Sequence, residues 1–304
     1  MSLHIAVLLG GPGTEREVSL RSGSAVAAAL RKIGHVVTEV DVTDDQFILP
    51  AGMDIAFNVI HGTYGEDGDL QDELERRRVA YTGDTPKSNR IAFDKILSKR
   101  AFTAAGIPTP KSETLTGNAR PTLPLPLVVK APRQGSSVGV YICKTQADLD
   151  AALTAVTTFG DDILVEEFIQ GDELTVGILG DLALPIIQIC PKDGVYDFKN
   201  KYPWLSPGGA ADHFCPAPIE EKLTKNIQAI ALAAHRSLGL QVYSRVDLLL
   251  PRHGEAFVLE VNTVPGMTES SLLPEAAGVA GLSMEQLCER IIELSEKRAK
   301  GGCV

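Results

Sequence analysis

The glycine-rich loop near the N-terminus is not GxGxxG, and no GxxxxGK[ST] occurs anywhere, so neither a Rossmann nor a P-loop nucleotide site is expected. No apolar run approaches the ~18 residues of a transmembrane helix. The first ten residues contain a short apolar run but no basic region before it and no cleavage pattern, so a signal peptide is not expected either. Cysteines are few: Cys143, Cys190, Cys215, Cys288 and Cys303. Their number is odd and none stands in CxxC spacing, which argues against a disulfide scaffold and for a reducing compartment. No cysteine has a helper beside it that would mark a nucleophile. Positive charge is short as well. Net charge is −10 with a pI near 5.1, which argues against a nucleic-acid binder. A chain this acidic that handles phosphates must gather its Lys and Arg locally or use metal ions. These absences lead us to expect a cytoplasmic protein without nucleic-acid or membrane partners. The chain also lacks repeats and low-complexity tracts.

At 304 residues, 44% hydrophobic and 22% charged, there is enough chain for two or three domains. Residues 5–9 form a buried-type strand that enters a Gly-rich loop. A helical pattern follows, with Val18, Ser22, Ala25, Val26, Ala29, Leu30 and Ile33 on one face and Gly34 as its stop. Strands at 36–42 and 55–60 complete a strand–helix–strand order, which implies a parallel sheet. Glu15 lies where a carboxylate would stabilise the helix start, so helix support competes with function there. His61 follows a strand, at the sheet edge where open α/β folds bind ligands, and could meet a substrate carboxylate. A solvated or structural histidine is the competing reading. Glu66, Asp67 and Asp69 lack EF-hand spacing and are expected to cap a helix over 70–77.

The turn-rich stretch 81–86 reads as a domain boundary. Residues 89–105 read as one helix carrying Lys95, and 116–126 as a proline-punctuated linker. A strand at 127–130 ends on Lys130 and is followed by Gly135-Ser136-Ser137-Val138-Gly139. Small residues let backbone N–H groups approach an anion, so this pairing suggests a nucleotide phosphate clamp rather than a flexible tip. A strand at 138–144, a helix at 146–156 and a strand at 163–167 come next. The stretch through Glu166, Glu167, Ile169 and Glu173 could read an adenine edge with its backbone, and Glu173 suits a vicinal diol. Residues 196–209, with the chain's only Trp, read as a lid. Helices at 219–238 and 283–298 flank a hairpin, the second opened by a Ser283/Gln286 capping box.

That hairpin is the focus of the chain. Two apolar runs flank Pro251-Arg252-His253-Gly254. Alternation puts Arg245 and Asp247 on one face of the first run, and Glu260 and Asn262 on one face of the second. A four-residue turn would set Asp247 opposite Val258, with all four polar side chains on one surface. Carboxylate and amide oxygens suit Mg²⁺, with Glu260 able to bridge two ions. A solvated face with an Arg–Glu cross-strand pair is the competing reading.

Assembled, these stretches resemble the ATP-grasp superfamily, and within it the D-alanine–D-alanine ligases. The matching segments run in family order: Leu8-Leu9-Gly10-Gly11 with Glu15-Arg16-Glu17-Val18-Ser19, His61-Gly62 with Gly65-Glu66-Asp67-Gly68, the Gly135–Gly139 loop, Lys201-Tyr202, Arg245-Val246-Asp247, and Glu260-Val261-Asn262-Thr263 with Pro265-Gly266-Met267-Thr268. The resemblance implies an α/β chain, α+β in its ATP-binding part. An N-terminal parallel-sheet preATP-grasp domain (1–87) is followed by a two-lobed ATP-grasp fold, with a central lobe (88–170) and a C-terminal lobe (171–304) carrying metal site and lid. It implies ATP as co-substrate, with Lys95, Lys130, Ser136 and Lys201 toward its phosphates, the adenine at Glu166, Glu167 and Ile169, and the ribose on Glu173. Two Mg²⁺ ions (or Mn²⁺) would sit on Asp247, Glu260 and Asn262. The first D-alanine would be phosphorylated on its carboxylate, and the second would attack the acyl phosphate. Glu15 and His61 would lie at the first D-alanine, and Gly266, Ser271 and Leu272 at the second. Arg245 would face the oxyanion, and Glu15, Ser136 and Tyr202 would form one hydrogen-bonded set. A homodimer through the N-terminal domain is implied too. The chain departs from the family pattern at Gly13, where many members have Ser, at Gln134, which replaces an acid, at Val264, and along the lid after Tyr202. The alternatives are a D-alanine–D-lactate ligase and a non-catalytic nucleotide-binding protein.

Overall fold

The computed structural model describes residues 2–117, 119–191, 211–252 and 254–301. The lid stretch 196–209, including Lys201 and Tyr202, and Cys303 lie outside them. β1 (His4–Gly10) pairs in parallel with β2 (Val36–Val42) and β3 (Ile55–Asn58), in the order β2-β1-β3. The parallel sheet expected from the strand–helix–strand order is thus present. α1 (Arg16–Lys32) covers it, burying Val18, Ser22, Val26, Ala29 and Leu30, whereas Ile33 at its end is exposed. α2 (Asp69–Arg76) follows. Its N-cap is Gly68, not a carboxylate. Asp67 instead accepts from the Tyr64 and Asp69 amides.

The single helix expected at 89–105 is two: α3 (Pro86–Phe93) and α4 (Lys95–Ala104). Asp94 takes an extended conformation between them, and its carboxylate accepts from the amides of Ile96 and Leu97. A side chain that caps so well stops one helix and starts the next, overriding the continuous apolar stripe. In the stretch 81–86, which the sequence marks as a turn-rich boundary, Tyr81, Thr82, Gly83 and Asp84 are buried. Asp84 holds the amides of Gln241 and Val242, and the Gly83 amide donates to Ser295. Turn-type residues here satisfy distant backbone rather than water.

Two antiparallel sheets follow. β4 (Ser112–Thr116), β5 (Leu127–Lys130), β6 (Val140–Cys143) and β7 (Asp162–Glu167) pair in the order β4-β7-β5-β6, with α5 (Gln146–Val156) beneath. β8 (Asp172–Leu179), β9 (Leu182–Ala183), β10 (Ile187–Pro191), β11 (Ala211–Phe214), β12 (Tyr243–Leu250) and β13 (Phe257–Asn262) form the larger sheet, ordered β11-β10-β8-β12-β13 with β9 on β8. α6 (Glu221–Ser237) and α7 (Leu272–Val279) pack on it; α8 (Met284–Ala299) packs against α1 and α7 and begins with the expected Ser283/Gln286 capping box. One apolar cluster runs from Ile5, Val7 and Leu30 through Tyr243, Met267 and Leu273 to Leu287 and Ile291. The N-terminal sheet and the C-terminal segments therefore share a core. Cys143, Cys190, Cys215 and Cys288 are free thiols.

Candidate active site

The hairpin of β12 and β13 does place Arg245, Asp247, Glu260 and Asn262 on one side of the sheet, by a different register from the simple one. The outer rungs pair Leu249 with Phe257 and Leu248 with Val258. The inner rungs pair Asp247 with Glu260 and Arg245 with Asn262. Leu259 is the extra residue of a bulge. With the outer register continued, Glu260 would face Val246 and point into the core; the bulge returns it to the polar side. Asp247 thus sits opposite Glu260 rather than Val258.

The carboxylate of Asp247 is held tightly. Arg245 meets it with Nε at 3.0 Å and Nη2 at 2.9 Å. Asn262 Nδ2 donates to Oδ2 at 3.0 Å, and buried Thr175 on β8 donates to Oδ1 at 2.7 Å. Glu260 pairs with Lys95 Nζ at 3.0 Å, and the same Nζ donates to the Gln134 carbonyl at 2.8 Å. Lys95 stands at the first position of α4, so the Asp94 cap that breaks the helix also aims this lysine. Among the described residues no three His, Cys, Asp or Glu side chains cluster as a metal site. A divalent ion here would have two carboxylates and one amide oxygen as protein ligands. This hard, oxygen-only set fits Mg²⁺ completed by phosphate oxygens and water.

Two cavities meet at the hairpin. The larger, of about 1080 Å³, lies between the two antiparallel sheets. Val128 and Ile142 form one wall and Leu249 and Leu259 the other, an apolar slot for a flat ring. Lys95, Lys130, Ser137, Glu166, Glu167, Ile169, Glu173 and Glu260 also line it. Glu167 is fixed by its carboxylate on the Lys111 amide, at 2.8 Å. Glu166 is deeply buried between Lys130 Nζ at 2.5 Å and Lys99 Nζ at 2.8 Å. Burial pushes this carboxyl up, but Lys130 and then Lys99 outweigh it and hold it below the usual range. Lys130 therefore sits by the base of the slot, and Lys95 by the hairpin. The pairing of Glu166 with two lysines, one of them the buried Lys99, had no local signal in the sequence.

The smaller cavity, about 70 Å³, is lined by Glu15, His61, Glu66, Ser136, Arg245, Asn262, Gly266, Ser271 and Leu272, and also by His213 of β11. Glu15 occupies the N-cap position of α1 but makes no capping bond; its carboxylate accepts instead from the Ser136 hydroxyl. Ser136 and Ser137 have φ of 50° and 61°, a left-handed turn uncommon for residues with a Cβ. A Cβ on either Gly62 or Gly135 would come within 2.8 Å of Glu15 Oε2, so the two glycines leave room for this carboxylate where it stands. His61 is buried, with Nε2 3.1 Å from Ser22 Oγ and Nδ1 2.7 Å from the Val264 carbonyl. Burial lowers its pKa, keeping the ring neutral. Both nitrogens are thus committed to protein partners, which leaves no cationic N–H for a carboxylate. Glu66, expected only to cap a helix, is recessed in this cavity. Burial and then the charge of Glu15 push its pKa well above the usual carboxylate value. Its charge type hid it among the acids of its loop. The structure thus brings together Glu15, Ser136, Arg245, Asn262, Gly266, Ser271 and Leu272, with Lys95, Lys130, Glu173 and Glu260 next door; Lys201 and Tyr202 are not described.

Residues 100–293 match the family model of the D-ala D-ala ligase C-terminus. A curated D-alanine–D-alanine ligase of Methylacidiphilum infernorum is 45% identical over 297 residues, spanning 98% of this chain and 97% of that one. One of Desulforudis audaxviator is 42% identical over 98% of this chain and 100% of its own. Among solved structures, a D-alanine–D-alanine ligase of Bacillus anthracis complexed with ATP superposes with a TM-score of 0.86 at 30% identity, covering 99% of each chain. The VanG D-Ala:D-Ser ligase of Enterococcus faecalis gives 0.84 at 28% identity, over 97% of this chain and 100% of that one. On the matched C-terminal model, the near-complete coverage by its relatives and the shared fold, this chain belongs to the D-alanine–D-alanine ligase family.

Proposed function

We propose that the chain joins two D-alanines into D-alanyl-D-alanine through a D-alanyl phosphate, with ATP converted to ADP and phosphate, for bacterial peptidoglycan synthesis. The observation that carries this reading is the meeting of a nucleotide-sized slot and a small charged cavity at one oxygen-rich hairpin. ATP lies in the slot, its adenine between the apolar walls near Glu167 and Ile169, and its ribose on Glu173. Its phosphates run toward Lys95 and the turn at Ser136 and Ser137. Mg²⁺ held by Asp247, Glu260 and Asn262 would neutralise phosphate charge. The first D-alanine places its ammonium on Glu15 and its carboxylate toward the γ-phosphate, and an acyl phosphate forms. The amine of the second D-alanine attacks that carbonyl carbon. Arg245, clamped in one plane by Asp247, is a preorganised cation for the oxyanion, whose collapse expels phosphate. The carboxylate of the second D-alanine lies by Gly266 and Ser271, at the start of α7, where backbone N–H groups favour an anion. Lys201 and Tyr202 belong to the lid in this reading. The parts 1–87, 88–170 and 171–304, a homodimer and a cytoplasmic setting go with it.

The test is incubation with ATP, Mg²⁺ and D-alanine, alone and with D-lactate or D-serine, following phosphate release and product mass. Dipeptide with stoichiometric phosphate is expected. No phosphate would remove the ligase reading, and preferred formation of a depsipeptide would move it to D-lactate.

A further inference from the structure

We propose that Ser22 is a positioning residue for the second D-alanine, acting through His61 on the turn at 264–267; this rests on the reaction proposed above. Ser22 is fully buried on α1, at no edge of either cavity. Its Oγ lies 3.1 Å from His61 Nε2 and accepts from the Met267 amide at 3.2 Å. His61 Nδ1 lies 2.7 Å from the Val264 carbonyl.

The directions of these bonds are fixed by chemistry. A carbonyl only accepts, so Nδ1 carries the proton. Burial keeps the imidazole neutral, so Nε2 has a lone pair and accepts the single Ser22 hydroxyl proton. The lone pairs of Ser22 are then available to Met267 N–H. The result is a closed circuit that leaves the 264–267 turn at Met267 and returns to it at Val264. Between these ends lies Gly266, where a Cβ would come within 2.8 Å of Ser271 Oγ. Ser271 is further tied to the Thr268 amide at 3.0 Å. The circuit therefore sets where the Gly266–Ser271 wall of the small cavity stands.

The same helix controls the other wall. Glu15 stands at the start of α1 and Ser22 seven residues later, two turns along the same face. One rigid helix thus fixes the distance between the carboxylate that takes the first substrate's ammonium and the turn that receives the second substrate. Loss of the Ser22 hydroxyl would leave a buried N–H and a buried imidazole nitrogen without partners and free the turn to shift.

The experiment is D-alanine saturation of Ser22→Ala and Ser22→Thr at fixed ATP, resolving the two D-alanine KM values, and ATP saturation at fixed D-alanine, with the wild type as control. In Ser22→Ala the KM of the second D-alanine should rise about tenfold or more, as for a lost buried hydrogen bond. The KM values of ATP and of the first D-alanine should stay within about twofold. Ser22→Thr, which keeps the hydroxyl, should recover most of the loss. Equal rises in all KM values, or an unchanged second KM, would overturn the proposal. A wild type that makes no dipeptide would instead sink the reaction itself. Histidine ¹⁵N NMR of the wild type tests the circuit without turnover. A neutral His61 protonated on Nδ1 is expected, and an Nε2-protonated or cationic ring would overturn it, even if Ser22→Ala does not fold.

Discussion

Glu15 and Arg245 illustrate how single side chains acquire a role. At Glu15 the sequence left helix support and function in balance. The absence of a capping bond, the Ser136 partner and the two glycines that make room for the carboxylate favour function. For Arg245 the resemblance alone implies the oxyanion role. Its bidentate hold on Asp247 now gives it a fixed plane at the wall of the small cavity. Truncating it removes a preorganised donor and also leaves Asp247 short of a partner. In Arg245→Ala we expect kcat to fall ~10²–10³-fold, the usual cost of a lost oxyanion donor, with ATP affinity within a few-fold of wild type. Arg245→Lys should recover little, because an ammonium cannot reproduce the planar fork. Steady-state phosphate release and nucleotide titration check both; an unchanged kcat in Arg245→Ala would take this residue out of the reaction. Glu66 and Ser22 were missed for a common reason. A carboxylate in an acidic loop and a serine on an apolar helix face carry no chemical signal until burial gives them one.

At the level of elements, two local interruptions set the site. The bulge at Leu259 corrects the parity of the hairpin, so that Glu260 returns to the side of Asp247. Hydrophobic alternation located both strands but is blind to an inserted residue, because either register buries apolar side chains. The Asp94 break is the second. Its carboxylate caps α4 and also meets Arg133 Nε at 2.7 Å, and Lys95 is the next residue. Asp94→Ala should cost ~1–2 kcal/mol of stability, as for other lost N-caps, and raise the KM of ATP by loosening Lys95. Asp94→Asn should restore most of both, since an amide oxygen also caps. Urea unfolding and ATP saturation kinetics measure the two effects; a stable Asp94→Ala with normal ATP kinetics would contradict this account.

For the whole molecule, the continuous core from the N-terminal sheet to α8 makes the parts interdependent. Asp84 lies where they join. It is buried, and burial raises its pKa from 3.8 to about 6 although the amides of Gln241 and Val242 hold it down. The folded state thus keeps a proton that the unfolded chain has already lost. Stability is therefore untouched by this group below pH 4. It falls as pH rises from about 4 to about 6, by roughly 3 kcal/mol in total for the size of that shift. Asp84→Asn should flatten this fall, whatever it does to stability at one pH. Chemical denaturation across pH 4–7 reads the slope, and an unchanged slope would show that Asp84 is not its source.

The sequence by itself determined the parallel N-terminal sheet, most strands and helices, and the two runs that carry Arg245, Asp247, Glu260 and Asn262. Periodicity and turn chemistry are local, and they act over the few residues that a strand or helix turn spans. Tertiary structure alone decided which neighbours those residues meet. The bulged register, the Lys99–Glu166–Lys130 group, the neutral His61 held by Ser22 and the burial of Asp84 depend on contacts between residues tens to hundreds of positions apart. No local pattern encodes such contacts, because desolvation and pairing arise only when the chain has closed around them.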